Sequence, residues 1–163
     1  MSIDFITQSE LIDEMIAILK ADAPLAAFIA AQYPTKSITY YDGPEGYTPP
    51  GEGNAPFVSF YREKVSAGES VSSWAIPLSV EVGVDDDRVT EVAADHFQQR
   101  GVRNVETYAN LVYDAIRNGI PCNANIDAAE WEIDGTQYPL FLGYIILTIN
   151  IPQVIGGVIG LNP

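Results

Sequence analysis

One histidine and one cysteine are the only side chains of their kind in this 163-residue chain, so the search for reactive groups is short. Cys122 follows Pro121 in a loop, with no activating base beside it in sequence, and reads as an inert thiol. His96 lies beside the apolar side of 88–100, with no cysteine, serine or second histidine near it, and reads as a structural or exposed imidazole. Asp85, Asp86 and Asp87 invite a calcium reading. An EF-hand loop, however, spaces its oxygens, turns on a central glycine and ends in a bidentate glutamate. None of that is present, and the run reads better as a charged strand end beside the N-cap of the next segment. Other carboxylates are numerous, but their number is that of an acidic surface, and no apolar pocket that would raise one pKa is visible. The G-x-S-x-G elbow, the P-loop, the G-x-G-x-x-G turn and the H-E-x-x-H helix are all missing. A carboxylate-only hydrolase is the one enzymatic reading left. The expectation is a protein without catalytic, cofactor-binding or metal-ligating residues.

Eight basic residues stand against twenty-two acidic ones, a net charge of −14. Such a surface repels nucleic-acid phosphate, because sequence-independent binding needs Lys and Arg to displace counterions. DNA binding is therefore not expected, whereas an acidic wall along which DNA must slide without sticking is compatible. A lone cysteine excludes an intrachain disulfide framework and a cysteine-rich zinc site. MSIDFITQSE lacks the basic and continuously apolar regions of a signal peptide, and no segment reaches the roughly 18 apolar residues of a membrane span. With 47% hydrophobic and 18% charged residues, the composition is that of a globular protein made in a cytoplasm.

The elements that must position any site follow from periodicity. Thr7 and Glu10 form a capping box in front of the stripe Leu11, Ile12, Met15, Ile16, Ile18 and Leu19, with Ile6 placed to staple onto Leu11. Asp22-Ala23-Pro24 ends that helix and starts a short second one carrying Leu25, Phe28 and Ile29. Strands are expected at 36–41 and 57–64. The Gly- and Pro-rich loop 42–56 between them is long for a compact domain, and Tyr47 at its centre marks a candidate partner contact. In 74–84, Trp74, Ile76, Leu78, Val80, Val82 and Val84 alternate with Ala75, Pro77, Ser79, Glu81 and Gly83, a strand with one buried face. Pro77 cannot donate to a ladder, so this strand is an edge over that part of its length. Residues 88–100 read as weakly helical through Val89, Val92, Ala93 and Phe97. A long helix follows, N-capped by Asn104 and stopped by Gly119 and Pro121, about 25 Å long. Its stripe is Val102, Val105, Ala109, Val112 and Ile116, widened by Tyr108, Leu111 and Ala115. Arg103, Glu106, Asn110, Asp114 and Arg117 face water. A short strand over 128–134 then turns at Asp134-Gly135 into 140–151, which is apolar on both faces. A strand of that kind belongs mid-sheet or at a subunit contact. Val112 and Leu147 are placed in the helix–sheet interface.

These elements make one α+β domain over 1–163: N-terminal helices at 8–33, a mainly antiparallel β-sheet with the long helix over 36–152, helices packed on one face, and an uncharged apolar tail at 153–163. A leading helix, antiparallel strands, a long helix after the third strand and a closing strand pair resemble the tail terminator, or tail completion, proteins of tailed bacteriophages. The phrases VETYANLVYDAIRNG, AAEWEID and PLFLGYIILTINI carry the likeness, over roughly 55–152. The loop 42–56 and the segment 88–100 depart from the pattern. The resemblance implies a structural virion protein of the tail, assembled in the host cytoplasm, that forms a homo-oligomeric ring, usually of six copies. Its partners would be the tail tube protein, whose polymerisation it stops, and the head–tail connector protein, for which it offers a docking surface. DNA would pass through without specific binding. A tail tube or connector protein of the same particle is the nearest rival. A small-ligand or Ca²⁺-binding module is the rival from another class, should 85–87 and 42–56 converge.

Overall fold

The computed structural model describes residues 7–43, 50–62, 73–120 and 124–152, with the backbone alone at 52, 73, 74, 127, 128 and 152. Ile6, Tyr47, Pro121, Cys122 and the tail from 153 onward lie outside the described residues, and with them the expectations placed on those positions.

The chain opens with α1 (Gln8–Ala21), whose capping box is formed as expected: the Thr7 side chain accepts from the Glu10 N–H, and Glu10 accepts from the Thr7 N–H at 2.7 Å. Asp22 ends α1 and caps α2 (Ala23–Gln32), its carboxylate accepting from the Leu25 N–H at 2.7 Å. Then come β1 (Thr39–Asp42), a single 3-10 turn at Glu52–Asn54, β2 (Phe57–Arg62) and β3 (Ser73–Asp85). Two further strands, β4 (Val89–Ala93) and β5 (His96–Gln99), precede α3 (Arg100–Gly119). β6 (Asn125–Asp134) and β7 (Leu140–Pro152) close the fold.

Among the described residues five strands form one sheet in the order β1-β2-β3-β7-β6. β1 runs parallel to β2 and every other neighbour is antiparallel, so the architecture is α+β with a mainly antiparallel sheet. The helices cover one face. The inward series of β3, Ile76, Leu78, Val80, Val82 and Val84, is buried together with Phe141, Ile145, Leu147, Ile149 and Ile151 of β7. Val105, Tyr108, Ala109, Val112, Ala115 and Ile116 of α3 complete that core, with Leu11, Ile12, Met15 and Leu19 of α1. At about 1.5 Å per residue α3 is about 30 Å long and spans the sheet. It lies close: a Cβ added at Gly101 would stand 2.2 Å from the Phe141 ring.

β7 lies mid-sheet, as its two apolar faces require. β3 lies mid-sheet as well, which corrects the edge reading for most of its length. The reading holds locally: the β2 ladder runs from Gly83 to Leu78 of β3 and stops one residue short of Pro77 within the described residues. The Pro77 carbonyl accepts from Gln8 Nε2 at 3.4 Å. A strand residue's N and C=O point the same way, so the missing donor faces away from β7 and breaks no bond of that ladder.

Two expectations fail. Residues 88–100 are not helical: β4 and β5 form a separate two-stranded hairpin. Val89, Thr90 and Val92 are β-branched, which favours extended backbone. Asp95 turns the chain at φ 69°, a left-handed conformation that Asp tolerates better than most residues. Asn104 is not an N-cap either. α3 starts a full turn earlier, after Gln99, and Asn104 is buried in it.

Candidate functional site

The root of the hairpin is fixed by a buried polar cluster. Asp86 continues the inward alternation of β3 and is only 4% exposed. Arg88 folds back on it, Nε to Oδ1 and Nη2 to Oδ2 both at 2.7 Å, while the Arg88 N–H reaches Oδ1 at 3.1 Å. From α3, Asn104 Nδ2 donates to Asp86 Oδ2 at 2.7 Å and to Tyr33 Oη at 3.2 Å, and Tyr33 Oη donates to the same carboxylate at 3.3 Å. The Arg88 guanidinium also lies 5.6 Å from the centre of the Tyr33 ring. Burial alone would push Asp86 upward. The hydrogen bonds from Arg88 and Asn104, with the Arg88 charge, outweigh it and hold the carboxyl below the ordinary aspartate range. The Tyr33 hydroxyl is pushed up to about 12, by burial first. This cluster ties the end of α2, the end of β3 and the second turn of α3 to the hairpin root. It fixes geometry and leaves no proton to exchange near neutral pH.

The hairpin it anchors is bare. Val89, Val92 and Phe97 remain 54%, 55% and 66% exposed, and Gln98 is its one partly covered residue. In the β4–β5 register Val89 pairs with Gln99 and Glu91 with Phe97, so Val89 and Phe97 share one face. His96 sits exposed at the turn. Isolated two-stranded hairpins are marginally stable in water. This one is closed at its base by the Arg100 N–H donating to the Arg88 carbonyl at 2.9 Å.

The sheet face away from the helices is polar in the middle and apolar at one end. Leu140 and Leu142 are buried there with Ala55 and Phe57, so the second half of the 42–56 loop packs onto this face. Phe57 lies over Gly83, where an added Cβ would stand 2.2 Å from its ring. Glu81, 4% exposed, accepts a short hydrogen bond from the Tyr61 hydroxyl. Tyr61 and Tyr144 are both pushed up to about 12, by burial first and then by Glu81. Towards β6 the face opens. Ile146 is 50% exposed, and a shallow depression of about 170 Å³ is lined by Glu130, Trp131, Glu132, Tyr144 and Ile146.

The three consecutive aspartates do not converge. Asp85 pairs with Lys36 at 3.4 Å, Asp86 is consumed by the hairpin root, and Asp87 is exposed. From the 42–56 loop, Asp42 turns to Arg62 at 2.7 Å. Among the described residues no three His, Cys, Asp or Glu side chains are grouped as metal ligands would be, and no helix is long and apolar enough to cross a membrane. Sequence reasoning missed Asp86. The signal was its parity, since it is the next inward position after Val84. It also missed the Glu81–Tyr61–Tyr144 cluster, whose members are far apart in the chain.

No protein-family model and no curated protein matches the sequence. Among solved structures, a chain from the virion of a native gene transfer agent particle superposes with a TM-score of 0.49 at 19% identity, over 87% of this chain and 92% of that one. A likeness this distant carries no argument about what the chain does.

Proposed function

We propose that this chain is a non-catalytic structural protein of a tailed-phage-like virion: a tail terminator that closes into a ring, most simply of six copies, on the end of the tail tube. The observation that carries this reading is the order of elements behind the resemblance. A leading helix pair, antiparallel strands, the long α3 and the closing pair β6–β7 come in the order the resemblance implies, with the β4–β5 hairpin inserted before α3, and the described α-helices lie on one side of the sheet. The bare hairpin and the open sheet face are two unlike surfaces on one subunit, as a head-to-tail ring requires. A charge of −14 per copy suits a passage through which DNA slides. The tail tube protein and the head connector are its partners, and the virion tail is its place, reached after assembly in the host cytoplasm.

Light scattering across a salt series, with the protein alone and with polymerised tube protein, tests this. Like charge on every copy opposes association at low salt, so added salt strengthens it by screening. The expected outcome is a closed oligomer and tubes of fixed length. Continued tube growth by this chain itself would favour the tube-protein reading. A strict monomer that neither assembles in high salt nor binds tube ends would end the proposal.

A further inference from the structure

We infer that the groove beside β1 receives the apolar segment 153–161 of a second copy of this chain, which lies along the β1 edge as an added strand. The groove, about 450 Å³, runs between the end of α1, the outer face of α2 and the chain leading into β1. Leu19 and Ile29 are its buried floor, partly buried Ile38 and Tyr40 form one wall, and exposed Ala26 and Ala30 form the other. The α2 segment carries no charged residue, and a helix apolar all round is normally covered on every side. No carboxylate lines the groove, and its two lysines are engaged within the subunit. Lys36 pairs with Asp85 at 3.4 Å, and Lys20 stands over the Tyr40 ring, 5.5 Å from its centre. The groove therefore suits an uncharged, apolar occupant.

Charge and reach select the tail. Each copy carries −14, so most surfaces of a second copy would bring carboxylates to the contact and repel. Residues 135–163 contain no charged side chain, and 153–163 follow the last strand. In extended backbone Ile155, Ile159 and Leu161 share one side, three apolar side chains for one groove. β1 is a sheet edge among the described residues, so backbone bonds along it can hold an extended segment while alternate side chains fill the groove. The tail cannot do this in its own subunit. Pro152 is level with Ser73 of β3, whereas Thr39 of β1 is level, through Phe57, with Gly83. Ten residues of β3 separate the two levels, about 33 Å, and β7 lies three strand spacings, about 14 Å, from β1. Ile159 is seven residues beyond Pro152, and an extended chain covers at most about 25 Å in that many steps. The groove it enters is therefore another copy's. Tail exit and groove lie at opposite ends of the sheet and towards opposite edges, so the contact is head-to-tail. The inference rests on the ring reading only in requiring a second copy.

The test uses two full-length variants, Ala30→Cys and Ile159→Cys, each with Cys122→Ala, purified separately. They are mixed in high salt, with and without tube ends, and treated with a short thiol-to-thiol crosslinker. A crosslinked dimer that forms in the mixture and in neither variant alone is the expected result. With both cysteines in one chain, diluted into an excess of Cys122→Ala chain, no link within that chain is expected, and such a link would overturn the second copy as the source. Ile159→Asp, and Ala30→Glu at an exposed helix position, each checked for unchanged circular dichroism, weaken association about tenfold or more, because each buries an unpaired charge. Assembly of the unsubstituted chain together with no mixed crosslink, or with Ile159→Asp assembling normally, overturns the tail as occupant and leaves the ring standing. Ala30→Glu that assembles normally but no longer binds tube ends gives the groove to the tube protein and overturns it as well. A chain that stays monomeric under all conditions and never crosslinks overturns both readings.

Discussion

The strand pairs β6–β7 and β4–β5 are both antiparallel, and both carry β-branched and aromatic residues next to charges, yet their surroundings are opposite. β7 lies between two strands and under α3, with Leu147 and Ile149 fully buried. Among the described residues β4 and β5 have each other and no third strand, and Phe97 remains 66% exposed. Local sequence makes a strand in both places, but only tertiary neighbours make one stable. Hydrophobic burial is a property of the whole fold for β7. Among the described residues the hairpin's apolar side chains Val89, Val92 and Phe97 find none of it.

The largest effect that would break this contrast is at Leu147. Leu147→Ala is expected to lower unfolding stability by about 2–5 kcal/mol in denaturant titration, because it empties a fully buried site. Phe97→Ala in the unassembled chain is expected to change it by less than about 0.5 kcal/mol. Comparable losses at the two sites would mean that the hairpin is already packed within its own subunit.

Next in size is the hairpin root. Asp86→Ala is expected to remove about 2–3 kcal/mol by leaving Asn104 and Tyr33 without their buried acceptor, while Arg88, 39% exposed, can turn to water. The folded Asp86 carboxyl titrates below the unfolded value of about 3.9. Its contribution is therefore complete above about pH 4 and is lost as pH falls through the lower folded value. Thermal melts of the native chain should accordingly fall faster below about pH 4 than those of Asp86→Asn, and should run parallel to them from about pH 5 to 7. Parallel curves throughout would contradict the cluster.

A smaller effect probes how α3 is seated. Gly101→Ala should gain helix propensity of up to about 1 kcal/mol and lose more, about 1–3 kcal/mol in all, to the Phe141 ring. A stabilised variant would mean that helix and β7 are farther apart than described. At the foot of the scale, Glu106→Ala and Asp114→Ala should remain within about 0.5 kcal/mol.

What was legible in the sequence follows the same division. The capping box at Thr7 and Glu10, the alternation of β3, the stripe of α3 from Val105 onward and the burial of Val112 and Leu147 all have local periodic signals backed by one continuous core, while Val102, also expected in the stripe, is exposed. The hairpin was not legible. Val89, Val92, Ala93 and Phe97 fit a helical spacing as well as a strand, and the Ala94-Asp95 turn lacks the glycine that marks a hairpin. Asn104 reads as a cap because its type fits one. Its real partners, Asp86 and Tyr33, lie 18 and 71 positions away. Asp86 hid in a run of three like residues, although its parity set it apart.

Electron microscopy of the purified chain mixed with tail tube protein tests the central claim most directly. The account predicts closed rings, of six copies in the simplest case, free in solution or seated on one end of each tube. Long tubes built of this chain, or dispersed monomers that leave the tube ends bare, would contradict it.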